Sequence, residues 1–157
     1  MAAVAHLFRR FFQVAFARPL AGDEAAEVAA ALLPALLDLF TAQGPADQRH
    51  AHTVMRRVAT RSVDPEVIAA ALLHDVGKAG IGLGPIGRSI ATLCDAVDLP
   101  MTARMRDYRN HGPVGAERLQ AAGASRLAVD FARRHPDPDP GPHDPATWAL
   151  LLDADHT

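Results

Sequence analysis

The chain has 157 residues, one cysteine, eight histidines and a formal net charge of −2. That length suits one domain, able to bury about two-thirds of its unfolded surface without staples. A lone cysteine, Cys94, excludes a disulfide framework within the chain and fits a reducing cytoplasm. The small charge leaves no electrostatic footprint for nucleic acid or anionic membrane. No apolar run reaches the ~20 residues of a membrane span; the longest, Val28 to Leu37, contains Pro34 and stops at Asp38.

Alanine and leucine dominate and aromatic residues are sparse, which predicts an all-α fold. The first helix is expected over 2–17, ending before Pro19. Its arginines flank too short an apolar stretch for a signal peptide, and it reads as an amphipathic helix packed on the domain. A second runs from near Asp23 to Leu33, and a third from Pro34 to near Gly44. A fourth covers about Asp47 to Arg61. Asp64-Pro65-Glu66 reads as a helix start, with a capping carboxylate and proline at the first helical position. That fifth helix is expected to end near Gly77. A Gly-rich loop over 79–88 precedes a helix over about 86–97, which Pro100 breaks. The next begins near Met101 or Ala103, and Gly112-Pro113 interrupts it or opens another. Gly123 is a helix stop and Ser125 a cap for a helix reaching about His135. Residues 136–145 hold five prolines in ten positions and exclude regular structure. A last helix runs from Ala146. About nine short-connected helices make a bundle.

Chemistry concentrates in a few segments. His74-Asp75 ends an apolar helix. The helix dipole favours histidine there but not aspartate, so the carboxylate needs a cationic partner, and a metal ion is the obvious one. His50, one helix earlier, shares a face with Val54 and Val58. His52 lies about 200° round the same helix and is expected to be exposed or to support the ligands from behind. Asp155 follows Leu151 by four residues and joins its inward stripe, whereas Asp153 points elsewhere. Lys78 is the chain's one lysine against fifteen arginines. Its position favours a compact ammonium over a planar fork.

These segments resemble the HD superfamily of metal-dependent phosphohydrolases. DQRHAHTV resembles its first-histidine helix, AALLHDVGK its central motif and ALLLDAD its closing aspartate helix. HGPVGAERL resembles the His-x-x-x-Gly segment of the two-metal branch that includes the HD-GYP phosphodiesterases, although Gly-Tyr-Pro itself is absent. The resemblance covers residues 47–155. It implies an HD-domain helical bundle over 45–157, with 1–44 as an N-terminal helical extension packed on the core. It also implies that His50, His74, Asp75 and Asp155 hold one ion. His111 and His135 would hold a second, with Asp75 bridging. Nitrogen and oxygen ligation without thiolate suits Mn, Fe, Mg, Ni or Zn.

The implied activity is hydrolysis of a nucleotide or other small phosphate ester. A water activated by the metal would attack phosphorus. Asp75 and Lys78 would be the catalytic residues, with Lys78 near the substrate phosphate. Arg109 and Arg88 are further candidates for clamping phosphate. Two alternatives share the same residues: a mixed-valent di-iron oxygenase, and a catalytically silent module that binds a ligand or partner. The string Gly82-x-Gly84-x-x-Gly87 mimics a dinucleotide fingerprint, but no strand is expected before it. Cys94, near Ile90 and Leu93, reads as a small core residue.

Overall fold

The computed structural model describes residues 17–83, 87, 90, 91, 94 and 99–156. Residues 1–16, most of the helix expected over 86–97, and Arg88 lie outside the described residues. Among the described residues there is no strand. The described residues form eight α-helices in order: α1 (Gly22–Ala31), α2 (Pro34–Thr41), α3 (Pro45–Ala59), α4 (Pro65–Leu73), α5 (Ala103–Arg109), α6 (His111–Ala121), α7 (Arg126–Arg134) and α8 (Pro145–His156).

Local chemistry sets most of these boundaries. Asp64 Oδ1 accepts the Glu66 N–H at 2.8 Å, and Pro65 opens α4. Thr102 caps α5 and Ser125 caps α7 through their hydroxyls. Ala21 offers no side-chain cap to α1, so its N–H donates instead to Glu24 Oε2 at 2.7 Å. Gly123 ends α6 with a φ of 75°, a conformation glycine adopts without steric penalty.

Helix α4 is the hub. Val67, Ala70, Ala71, Leu72 and Leu73 are all buried, so it is apolar nearly all round and takes the centre of the bundle. Helices α1, α2, α3, α7 and α8 pack around it. Val28, Leu36 and Phe40 from the first two helices share one core with Val54, Leu72, Phe131, Trp148 and Leu151.

One expected boundary is corrected. Helix α4 stops at Leu73 instead of running to Gly77. His74 is its C-cap, Asp75 turns with φ −104° and ψ 8°, and Val76–Lys78 form a single 3₁₀ turn. The reason is close packing. A Cβ on Gly77 would fall 1.9 Å from the His111 carbonyl oxygen and 2.8 Å from Gly115 N. The chain must leave the helical path to lay this turn against the start of α6. A smaller correction concerns Cys94, which is half-buried and not a core residue.

Candidate metal centre

Five separate pieces of the chain deliver side chains to one point. His50 comes from the second turn of α3, and His74 and Asp75 from the turn after α4. His111 opens α6, His135 closes α7, and Asp155 lies near the end of α8. His50 Nε2 is 2.9 Å from Asp155 Oδ1, and His74 Nε2 is 3.4 Å from the same oxygen. His74 Nε2 also lies 3.5 Å from Asp75 Oδ2. The other oxygen, Asp75 Oδ1, is 3.2 Å from His111 Nε2 and 3.5 Å from His135 Nε2. Three overlapping triads have ligand atoms within 4.8 Å of one another: His50 with His74 and Asp75, His74 with His135 and Asp155, and Asp75 with His111 and His135. The cluster is deepest at His74 and Asp75. It is most open at His50, whose side chain is 35% exposed.

The imidazoles are oriented by the backbone. Nδ1 of His74 donates to the Ala71 carbonyl at 2.9 Å, Nδ1 of His111 to Tyr108 at 2.7 Å, and Nδ1 of His135 to Phe131 at 3.0 Å. A neutral ring whose Nδ1 carries the hydrogen presents a bare lone pair at Nε2. All three lone pairs face carboxylate oxygens, so acceptor meets acceptor. His74 Nε2, Asp75 Oδ1 and His111 Nε2 are accordingly buried without a hydrogen-bond partner. Buried acceptors facing one another need a proton or a cation between them. Histidine nitrogen and carboxylate oxygen, with each ring fixed through its far nitrogen, make a donor set suited to a divalent metal ion. The residues therefore fit the ion that the motif order implies.

The electrostatics reflect the same crowding. Burial pushes His74 down, but the charges of Asp75 and Asp155 outweigh it and raise His74 to about 9. For Asp75, burial pushes up, and Lys78 and His74 pull it well below the usual carboxylate range. Asp155 is likewise depressed against its burial, through its contacts with His50 and His74. Lys78 is not a surface residue. Its Nζ donates to Asp75 Oδ2 at 2.5 Å and lies 5.7 Å from the Tyr108 ring centroid. Burial lowers Lys78, yet the Asp75 carboxylate beside it raises it overall, so it stays an ammonium.

Several supporting residues escape a sequence reading. Arg118 Nη1 donates to the carbonyls of Val76 at 3.3 Å and Ala79 at 3.1 Å, holding the turn that carries Asp75. Gly112 approaches α7 so closely that a Cβ there would meet the Arg133 carbonyl oxygen at 2.8 Å. Tyr108 orients His111 through its carbonyl. Its only signal in the sequence is its place three residues before that histidine. The proline-rich loop after His135 is pinned by Trp148, whose Nε1 donates to the Asp137 carbonyl at 2.9 Å. His143 stacks on the Trp148 ring and bonds Asp130 Oδ2 at 2.9 Å, while Arg134 lies over the same ring at 4.6 Å.

Other candidates lie elsewhere. His52 is buried, which corrects the expectation that it is exposed. Its Nε2 bonds Glu27 Oε2 at 2.8 Å, because α1 covers the side of α3 that faces away from the site. Asp153 is exposed and paired with Arg61. Arg109 is exposed at the end of α5, two residues before His111. Compared with family models, with curated proteins and with solved structures, the chain matches none.

Proposed function

We propose that this chain is a metal-dependent phosphohydrolase acting on a nucleotide or another small phosphate ester. The observation that carries the reading is the convergence of His74, His111 and His135 on Asp75, each ring fixed by a backbone carbonyl and each Nε2 facing a carboxylate. The order of these residues along the chain, and their likeness to the HD motifs, adds the reaction class. His50, His74, Asp75 and Asp155 would hold one divalent ion. Asp75, His111 and His135 would hold a second. Such ions supply Lewis acidity and make water acidic near neutral pH.

The protein's own groups do the rest. The carbonyls of Ala71, Tyr108 and Phe131 fix which nitrogen of each ring faces inward. Asp75, held ionised by Lys78, supplies one oxygen to each half of the cluster. Lys78 is paired with Asp75 within the cluster and would stabilise charge building on phosphoryl oxygens. The exposed side near His50 offers the substrate its approach, and Arg109 would add a cation at the rim.

The test is a hydrolysis screen with nucleotides and simple phosphate esters, on protein whose metal content is measured. Phosphate release that disappears in a folded Asp75→Ala variant supports the reading. Turnover of no ester in protein carrying Mn, Fe or Ni would reject it. Iron with oxygen consumption would point to the oxygenase alternative, and metal without turnover to a silent binding module.

A further inference from the structure

Lys78 occupies one particular oxygen of the bridging carboxylate. Its Nζ is 2.5 Å from Asp75 Oδ2, the oxygen that also faces His74 Nε2 at 3.5 Å. Oδ1 of the same carboxylate faces His111 and His135 and has no hydrogen-bond partner. The two halves of the cluster therefore differ. On the His111 and His135 side the carboxylate oxygen is open to a cation. On the His50 and His74 side an ammonium already sits on it, anchored three residues along the same turn and facing the Tyr108 ring.

We infer that Lys78 is a built-in competitor for cations at the His50, His74 and Asp155 half of the cluster, so that the His111 and His135 half takes up its ion first and more tightly. The inference rests on the proposal that the cluster binds metal. An ion held by His50 and His74 would meet the side of Asp75 that faces His74, where the ammonium would repel it unless the lysine swings aside. The lysine displaced in this way is then free to meet an anionic substrate. One side chain would thus couple the second ion's arrival to the appearance of a phosphate-binding cation. The close glycine contacts of Gly77 and Gly115 hold the turn itself in place, so the adjustment falls on the flexible lysine stem.

Calorimetric titration with Mn²⁺ alone tests this, on the full chain after chelator treatment, comparing wild type with Lys78→Met. Methionine keeps the apolar length and removes the charge; Lys78→Gln serves if methionine impairs folding, as judged by far-ultraviolet circular dichroism. The expected result is two unequal binding events in wild type. Lys78→Met should tighten the weaker by about tenfold or more, about 1.4 kcal/mol, and leave the tighter nearly unchanged. His111→Ala should abolish the tighter event and His50→Ala the weaker one. Equal or weaker binding of both ions in Lys78→Met would overturn the inference, since the lysine would then only orient Asp75. So would loss of the lysine-sensitive event in His111→Ala. Binding by neither protein would overturn the metal proposal itself, and this one with it.

Discussion

Gly77 lies directly against the backbone of His111: a methyl group on the glycine would fall 1.9 Å from the histidine's carbonyl oxygen. Backbone meets backbone here, so neither side can step aside. Gly77→Ala is expected to destabilise the protein by about 3 kcal/mol, the upper part of the range for overpacking. It should also separate Asp75 from His111 and weaken metal binding. Urea denaturation and metal titration of the variant check both. A variant as stable as wild type would show that the turn and α6 can part freely.

Acidity should act on the ligands in a definite direction. His74 has its proton affinity raised from 6.5 to about 9 in the folded chain. A raised value means that this protonated histidine stabilises the fold fully below pH 6.5. The stabilisation is lost as pH climbs from 6.5 through 9. Asp75 and Asp155 are depressed, so their contribution is present above the ordinary carboxylate value of 3.8 and fades as pH falls below it. Chelator-treated protein should therefore melt highest between about pH 4 and 6.5 and lower at pH 9. Metal affinity should rise across that alkaline limb, because the ion displaces the His74 proton. Thermal melts at several pH values, with and without Mn²⁺, check this; a Tm that rises between pH 6.5 and 9 without metal would contradict it.

His52 offers a control that separates folding from metal binding. It is buried and bonded to Glu27, yet faces α1 and not the ligand cluster. His52→Ala should lower stability by about 0.5–1.5 kcal/mol, through one lost hydrogen bond and its buried ring, since Glu27 keeps Arg56 and water. Ions bound per chain should stay unchanged. Elemental analysis of the purified variant, beside its urea midpoint, checks the pair of outcomes, and lost metal would place His52 in the site.

Trp148 should matter more than its distance from the ligands implies. Its ring sits edge-on to Phe131 at 5.1 Å, and Phe131 supports His135 through both its carbonyl and its ring. Trp148→Ala removes a fully buried side chain and should cost about 3–5 kcal/mol. Trp148→Phe is gentler: it strands the Asp137 carbonyl, loosens the proline-rich loop and should weaken chiefly the ion held by His135. Metal titration of the phenylalanine variant at low temperature, where it stays folded, tests this; unchanged affinity for both ions would mean the loop does not set His135.

That His50 and Asp155 face the interior was legible in the sequence because helical phase fixes direction. His50 repeats the face of Val54 and Val58, and Asp155 the face of Leu151, so each had to point where those apolar residues point. The contacts that hold the ligands were not legible. Gly77 and Gly115 look like ordinary glycines until the turn is seen lying on α6, and Arg118 like one arginine among fifteen. His52 shows why. A helix packed between two neighbours buries two faces, and periodicity within α3 cannot say that α1 covers the second.

His50 and Asp155 touch across 105 positions of sequence, whereas Lys78 reaches Asp75 across three and His135 is only twenty-four beyond His111. Contacts between distant segments form late, after the intervening loop has been closed. The His111 and His135 half can therefore come together while α8 is still undocked. The half completed by Asp155 must wait for the last helix to arrive. Assembly of the cluster then runs in time order from its lysine-free side to its lysine-guarded side, and a complete centre reports that α3, α4, α6, α7 and α8 have docked.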